Sequence, residues 1–125
     1  MSRVLVVDDD PNLRQLVTVR LQKAGHRVLA ADSAAEALAV VADRGAPDVV
    51  VLDVTMPGMS GLELLPVMRG VDGCAALPAI FLSGRVDHAD VEAGRALNAT
   101  YLTKPFSATA LCNAIQRLAP VEAGW

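Results

Sequence analysis

The chain has 125 residues, a formal net charge of −3, 53% hydrophobic and only 3% aromatic residues. That length suits one domain with an aliphatic core, and no disulfide or metal staple is needed to hold it. The acidic balance, without any interleaving of basic and aromatic residues, argues against direct nucleic-acid binding by this chain.

Cys74 and Cys112 lack CxxC spacing and read as reduced thiols of a cytosolic protein. No apolar run approaches a membrane span. The opening MSRVLVVDDD has no signal-peptide core or cleavage site, so a cytoplasmic location away from membranes is expected.

The elements alternate along the chain. Arg3–Val7 reads as a strand buried on both faces. In the next segment Leu13, Leu16, Val17, Leu21 and Ala24 recur at helical spacing, with Pro11 in the first turn and Gly25 at the stop. Arg14, Gln15, Thr18 and Gln22 fall on the other side and read as a solvent-facing docking surface for a partner. Arg27–Ala31 is a second strand. Ser33 and Glu36 have capping-box spacing for a second helix that ends near Gly45. Asp48–Asp53 is a third strand, with four consecutive apolar residues that suggest a central place in a parallel sheet. A helix follows from about Gly61 to Arg69. Ala79–Ser83 is a fourth strand, Asp87–Leu97 a weaker and more polar helix, Thr100–Thr103 a fifth strand, and Ser107–Ala119 a last helix stopped by Pro120.

This is an α/β pattern, (βα)5. It predicts a doubly wound, flavodoxin-like three-layer sandwich with a five-stranded parallel sheet in the order 2-1-3-4-5. Chemistry in such sheets lies at the carboxyl ends of the strands. There the sequence places Asp8, Asp9 and Asp10 after strand one, Asp53 at the end of strand three, Ser83 at the end of strand four and Lys104 after strand five. Asp10 alone suits a helix cap before Pro11. Asp8, Asp9 and Asp53 would repel one another. A hard divalent cation resolves that conflict, so a Mg²⁺ site is expected, with Asp9 and Asp53 as ligands and Mn²⁺ as the alternative ion. A carboxylate beside such an ion can be a nucleophile toward phosphorus, with Lys104 and the Ser83 hydroxyl as contacts to the phosphoryl oxygens.

The stretches VVDDDP, VLDVTMPGMSGLELL, FLSG and YLTKPF, in this order and spacing, resemble the receiver domains of two-component response regulators. The likeness runs from Arg3 to about Leu118. It implies Asp53 as phosphoacceptor, and Asp8 and Asp9 as the acidic pair for Mg²⁺ with the backbone carbonyl of Thr55 as a further ligand. It implies Ser83 and Lys104 as phosphoryl contacts, a cis peptide before Pro105, and a switch built on Ser83 and Tyr101. The expected function is therefore a phosphoacceptor switch in a phosphorelay, which catalyses only its own phosphorylation and dephosphorylation. Its partners would be a sensor histidine kinase or histidine phosphotransfer protein and an output protein or domain. The responding face would be the fourth predicted helix, the fifth strand and the last helix.

Residues 1–119 form the expected receiver unit, and residues 120–125 a tail or linker stub. Thr55 and Arg85 occupy positions that tune dephosphorylation, and slow self-dephosphorylation is expected. Ala99 and Thr100 replace a frequent acidic pair, which argues against a salt-bridged dimer through that face. Other phosphorylation-dependent dimers stay open. His26 and His88 read as solvated. Three alternatives stand beside this: a haloacid-dehalogenase-type phosphatase with Asp8 as nucleophile and Asp10 as general acid, a flavodoxin-like FMN binder, against which the acidic DDDPN after strand one argues, and a receiver-like module that works by protein contacts without phosphate.

Overall fold

The computed structural model describes residues 2–71, 73–84, 92–93 and 95–118. In chain order the elements are β1 (Arg3–Val7), α1 (Pro11–Lys23), β2 (Arg27–Ala31), α2 (Ala34–Arg44), β3 (Val49–Asp53), α3 (Gly61–Arg69), β4 (Ala79–Ser83), β5 (Thr100–Thr103) and α4 (Ala108–Leu118). The strands form one parallel sheet in the order β2-β1-β3-β4-β5. Among the described residues four helices cover it. Most of the expected helix Asp87–Leu97 lies outside the described residues, as do Arg85, His88 and the tail; Glu92, Ala93, Arg95 and Ala96 are helical.

Alternation along the three central strands divides the core. Leu5, Val7, Val50, Leu52, Ala79 and Phe81 face Ala37 and Val41 of α2 and Leu64, Leu65 and Met68 of α3. Val4, Val6, Val49, Val51, Ile80 and Leu82 face Val17 and Leu21 of α1 and Leu111, Ala114 and Ile115 of α4. Both faces of β1, β3 and β4 are therefore buried, which is why they read as unbroken apolar runs. Truncating any one of these large side chains to alanine costs about 2–5 kcal/mol.

The helix ends are held by local chemistry. Asp10 caps α1, its carboxylate accepting from the N–H groups of Asn12 and Leu13. Ser33 caps α2 by accepting from Glu36 N, but Glu36 reaches back to Asp32 N instead of closing the expected box on Ser33. A full capping box is present at α3, between Ser60 and Glu63. Gly25 and Gly45 close α1 and α2 with φ of 94° and 85°, a region open to glycine at little cost. Asn98 takes φ 58° before β5.

Three expectations are corrected. Leu16 is 52% exposed and Ala24 is exposed at the helix C-cap. The buried stripe of α1 follows Val17 and Leu21, one turn apart, and Leu16 lies about 100° round the helix from Val17. Arg14 and Thr18 are half-buried. Arg14 donates to the Asp8 carbonyl and Thr18 donates to the Arg14 carbonyl, so neither simply faces water. His26 is buried, with Nδ1 accepting from Ser2 N and Nε2 left without a hydrogen-bond partner. The backbone around His26 is bonded on both sides, His26 N to Leu21 O and Arg27 N to Ser2 O, and this holds the ring against Ser2.

Candidate phosphoacceptor site

The parallel sheet aligns the carboxyl ends of its strands on one rim. β1 delivers Asp8 and Asp9, β3 delivers Asp53, and β4 delivers Ser83. Asp53 pairs in register with Leu82, which puts Ser83 one residue further out on the neighbouring strand. Ser83 pairs with Thr103, and Lys104 follows directly. The Lys104 backbone N–H donates to the Ser83 carbonyl at 2.6 Å, and the Lys104–Pro105 peptide is cis.

One carboxylate oxygen from each of Asp8, Asp9 and Asp53 lies within 4.8 Å of the others. Asp8 and Asp53 are buried and Asp9 is exposed, so the cluster opens to solvent on the Asp9 side. Lys104 Nζ stands 3.2 Å from Asp53 Oδ1 and 3.9 Å from Asp8 Oδ2. Burial first, and then the Asp8 charge, push the Asp53 carboxyl up to about 6; Lys104 pulls the other way without cancelling the rise.

The oxygens suit a hard cation. Asp8 Oδ1 accepts from Asp10 N at 2.9 Å, whereas buried Asp8 Oδ2 has no hydrogen-bond partner among the described residues. A buried carboxylate oxygen without a donor is costly unless a positive charge completes it. Oxygen-only donors with water access on one side match the habits of Mg²⁺, and also those of Mn²⁺.

The loop after Asp53 is built to stay close. Thr55 N approaches Asp53 Oδ1 at 3.4 Å, a long contact, and the Thr55 side chain is exposed. Met56 is buried and Met59 half-buried against the core beneath. Gly61 N donates to Val54 O at 3.0 Å. A Cβ on Gly61 would collide with the Asp53 carbonyl oxygen, so only glycine lets α3 start so near the end of β3. Tyr101 is half-buried in β5 against the same core.

Residues 4–116 match the family of response regulator receiver domains. The chain belongs to that family. It is 34% identical to Protein PilH of Pseudomonas aeruginosa over 116 residues, covering 92% of this chain and 95% of that one. It is 40% identical over 107 residues to the transcriptional regulatory protein KdpE of Mycobacterium tuberculosis, covering 85% of this chain but 46% of the relative. Among solved structures, the chemotaxis protein CheY4 of Vibrio cholerae superposes with a TM-score of 0.86 at 36% identity, covering 94% of this receiver and 98% of CheY4. The receiver spans less than half the length of several curated relatives it matches, KdpE among them.

Asp8, Asp9, Asp53, Ser83 and Lys104, which the sequence places at strand ends, all lie on one rim of the sheet. Arg85 lies outside the described residues. Asp10, the general acid of the phosphatase alternative, has its carboxylate committed to capping α1. Two contacts went unforeseen. Arg14 bonds the Asp8 carbonyl at 2.8 Å. Arg69 donates to the carbonyls of Leu77 and Leu97, tying α3 to the segments that lead into β4 and β5. Neither contact leaves a local signal, because each acceptor is a backbone carbonyl outside the regular helices and strands. The Ser60–Glu63 box has a local signal in SGLE, a serine three residues before a glutamate.

Proposed function

We propose that this receiver is a phosphoacceptor switch in a phosphorelay, with Asp53 as the acceptor. The observation that carries the reading is the pairing of a buried, Lys104-contacted Asp53 with a buried Asp8 oxygen that accepts no hydrogen bond among the described residues, at the same rim. Asp8, Asp9, Asp53 and the Thr55 carbonyl would hold Mg²⁺, or Mn²⁺ in its place. When bound, the ion supplies positive charge that lowers the repulsion between the acceptor carboxylate and an incoming phosphoryl group.

An Asp53 carboxylate oxygen attacks phosphorus of a phosphohistidine in line. The new P–O bond forms as the P–N bond breaks, and the histidine nitrogen keeps the bonding pair. Lys104 faces the charge that spreads over the phosphoryl oxygens, and the Ser83 hydroxyl donates to one of them. The product is an acyl phosphate on this chain, so the domain turns over no separate substrate beyond its phosphodonor. Added charge at Asp53 draws Ser83 inward, Tyr101 follows, and the face made by the expected helix Asp87–Leu97, β5 and α4 changes. A histidine kinase or phosphotransfer protein is the donor, and an output protein or domain reads the changed face. Exposed Thr55 has no carboxamide or acid to orient water, and with Arg85 it favours a long-lived phosphoryl group.

The test is intact mass after incubation with acetyl phosphate and Mg²⁺, for wild type and Asp53→Asn. One phosphate-sized gain, absent from Asp53→Asn and from samples with chelator, is the expected result. A gain that persists in Asp53→Asn would move the acceptor to another residue. No gain in the wild type would favour a module working by protein contacts alone.

A further inference from the structure

We infer that Arg14 is a positioning residue for the cation site and acts through Asp8; the inference rests on the Mg²⁺ reading above. Arg14 sits one turn into α1, half-buried, and its guanidinium Nη1 donates to the Asp8 carbonyl oxygen at 2.8 Å. Two other hydrogen-bonding groups of Asp8 are also engaged. Asp8 N donates to Ala31 O at 3.1 Å, and Oδ1 accepts from Asp10 N at 2.9 Å. Only Oδ2, 3.9 Å from Lys104 Nζ, is left without a hydrogen bond. Asp8 is thus held on three sides with one oxygen presented to the cluster.

The Arg14 contact matters because of where it is made. Asp8, Asp9 and Asp10 are consecutive acids in a turn, and their mutual repulsion favours opening that turn. A turn carbonyl in a buried setting needs a donor, and a charged donor gives a bond roughly twice as strong as a neutral one. Arg14 is itself fixed from behind: its backbone N–H donates to Asp10 O at 2.9 Å, and its carbonyl accepts from Thr18 Oγ1 at 2.7 Å. The first turns of α1 therefore brace the strand-to-helix corner that carries two of the three carboxylates. Groups that orient ligands from behind commonly change metal affinity by ten- to a hundredfold when removed.

Two roles for this guanidinium predict opposite results. As a mere nearby positive charge, Arg14 opposes a bound cation, and its removal tightens Mg²⁺ binding. As a positioning residue, its removal loosens Asp8 and weakens binding. Calorimetric titration of Mg²⁺ into the unphosphorylated protein separates them. Arg14→Met is expected to raise the Mg²⁺ dissociation constant about tenfold, and Arg14→Lys, which still offers a charged donor, to stay within about threefold of wild type. Circular dichroism confirms that each variant is folded, and Arg14→Gln replaces Arg14→Met if the latter does not fold. An unchanged or lower dissociation constant in the neutral variant overturns the inference while leaving the cation site standing. No Mg²⁺ binding by the wild type overturns both.

Discussion

In the metal-free protein, ionised Asp53 is opposed first by its own burial and then by the Asp8 charge, and Lys104 offsets only part of this. Its folded pKa of about 6 lies above the ordinary value of 3.8, so the folded state holds that proton more tightly than the unfolded chain. No penalty exists below about pH 4; it grows as pH rises and is full above about pH 6. Asp53→Asn removes the charge, so with chelator present it should stabilise the domain at pH 7.5 by up to about 3 kcal/mol. At pH 4 the gain should vanish. Urea unfolding at both values checks this, and a gap independent of pH would refute it. Lys104→Met tests the other member of the pair. It should slow acetyl-phosphate labelling of Asp53 by about a hundredfold, the typical effect of losing one charge-stabilising donor; single-turnover mass spectrometry reads the rate. These charges were legible in the sequence because each ends or follows a strand. The brace on Asp8 was not, since helical spacing alone turned Arg14 toward water.

Among the elements, α3 is tied most closely to the site. Its capping box satisfies two otherwise orphaned groups, and Ser60→Ala should cost about 1 kcal/mol in thermal unfolding; an unchanged melting temperature would count against the cap. At its other end Arg69 donates to the Leu77 and Leu97 carbonyls. Arg69→Met leaves those acceptors unmet and should cost about 1–3 kcal/mol, measured by urea unfolding. The central strands β1, β3 and β4 were readable because runs buried on both faces need no partner to be recognised, and the less buried edge strands β2 and β5 were readable from their place in the strand–helix alternation. Boundaries slipped by one residue at β3, where Asp48 is instead held outside the strand by an ion pair with Arg3 at 3.0 Å. That pairing spans 45 residues of chain, and nothing local announces it.

For the molecule as a whole, the strands' two ends respond to acid in opposite senses. His26, at the amino end of β2, is buried, and that burial lowers its pKa below 6.5. The unfolded chain therefore takes up a proton that the fold resists. The contribution of His26 is intact above about pH 6.5 and is lost as pH falls through that value. His26→Gln should flatten the fall in melting temperature between pH 7.5 and 5.5; equal slopes would refute it. His26 had read as solvated, because its burial depends on Ser2, 24 residues away. The sheet also has an uneven interior. β3 has strands on both sides and helices on both faces, and all five of its residues are buried. β5 is an edge strand of four residues, none of them fully buried. Amide hydrogens of β3 should then exchange only when the whole domain unfolds, and those of β5 through small local openings. Asp53 thus ends a strand that opens only with the whole domain, and Tyr101 belongs to an edge strand that opens more readily, so that edge can rearrange repeatedly while β3 stays intact.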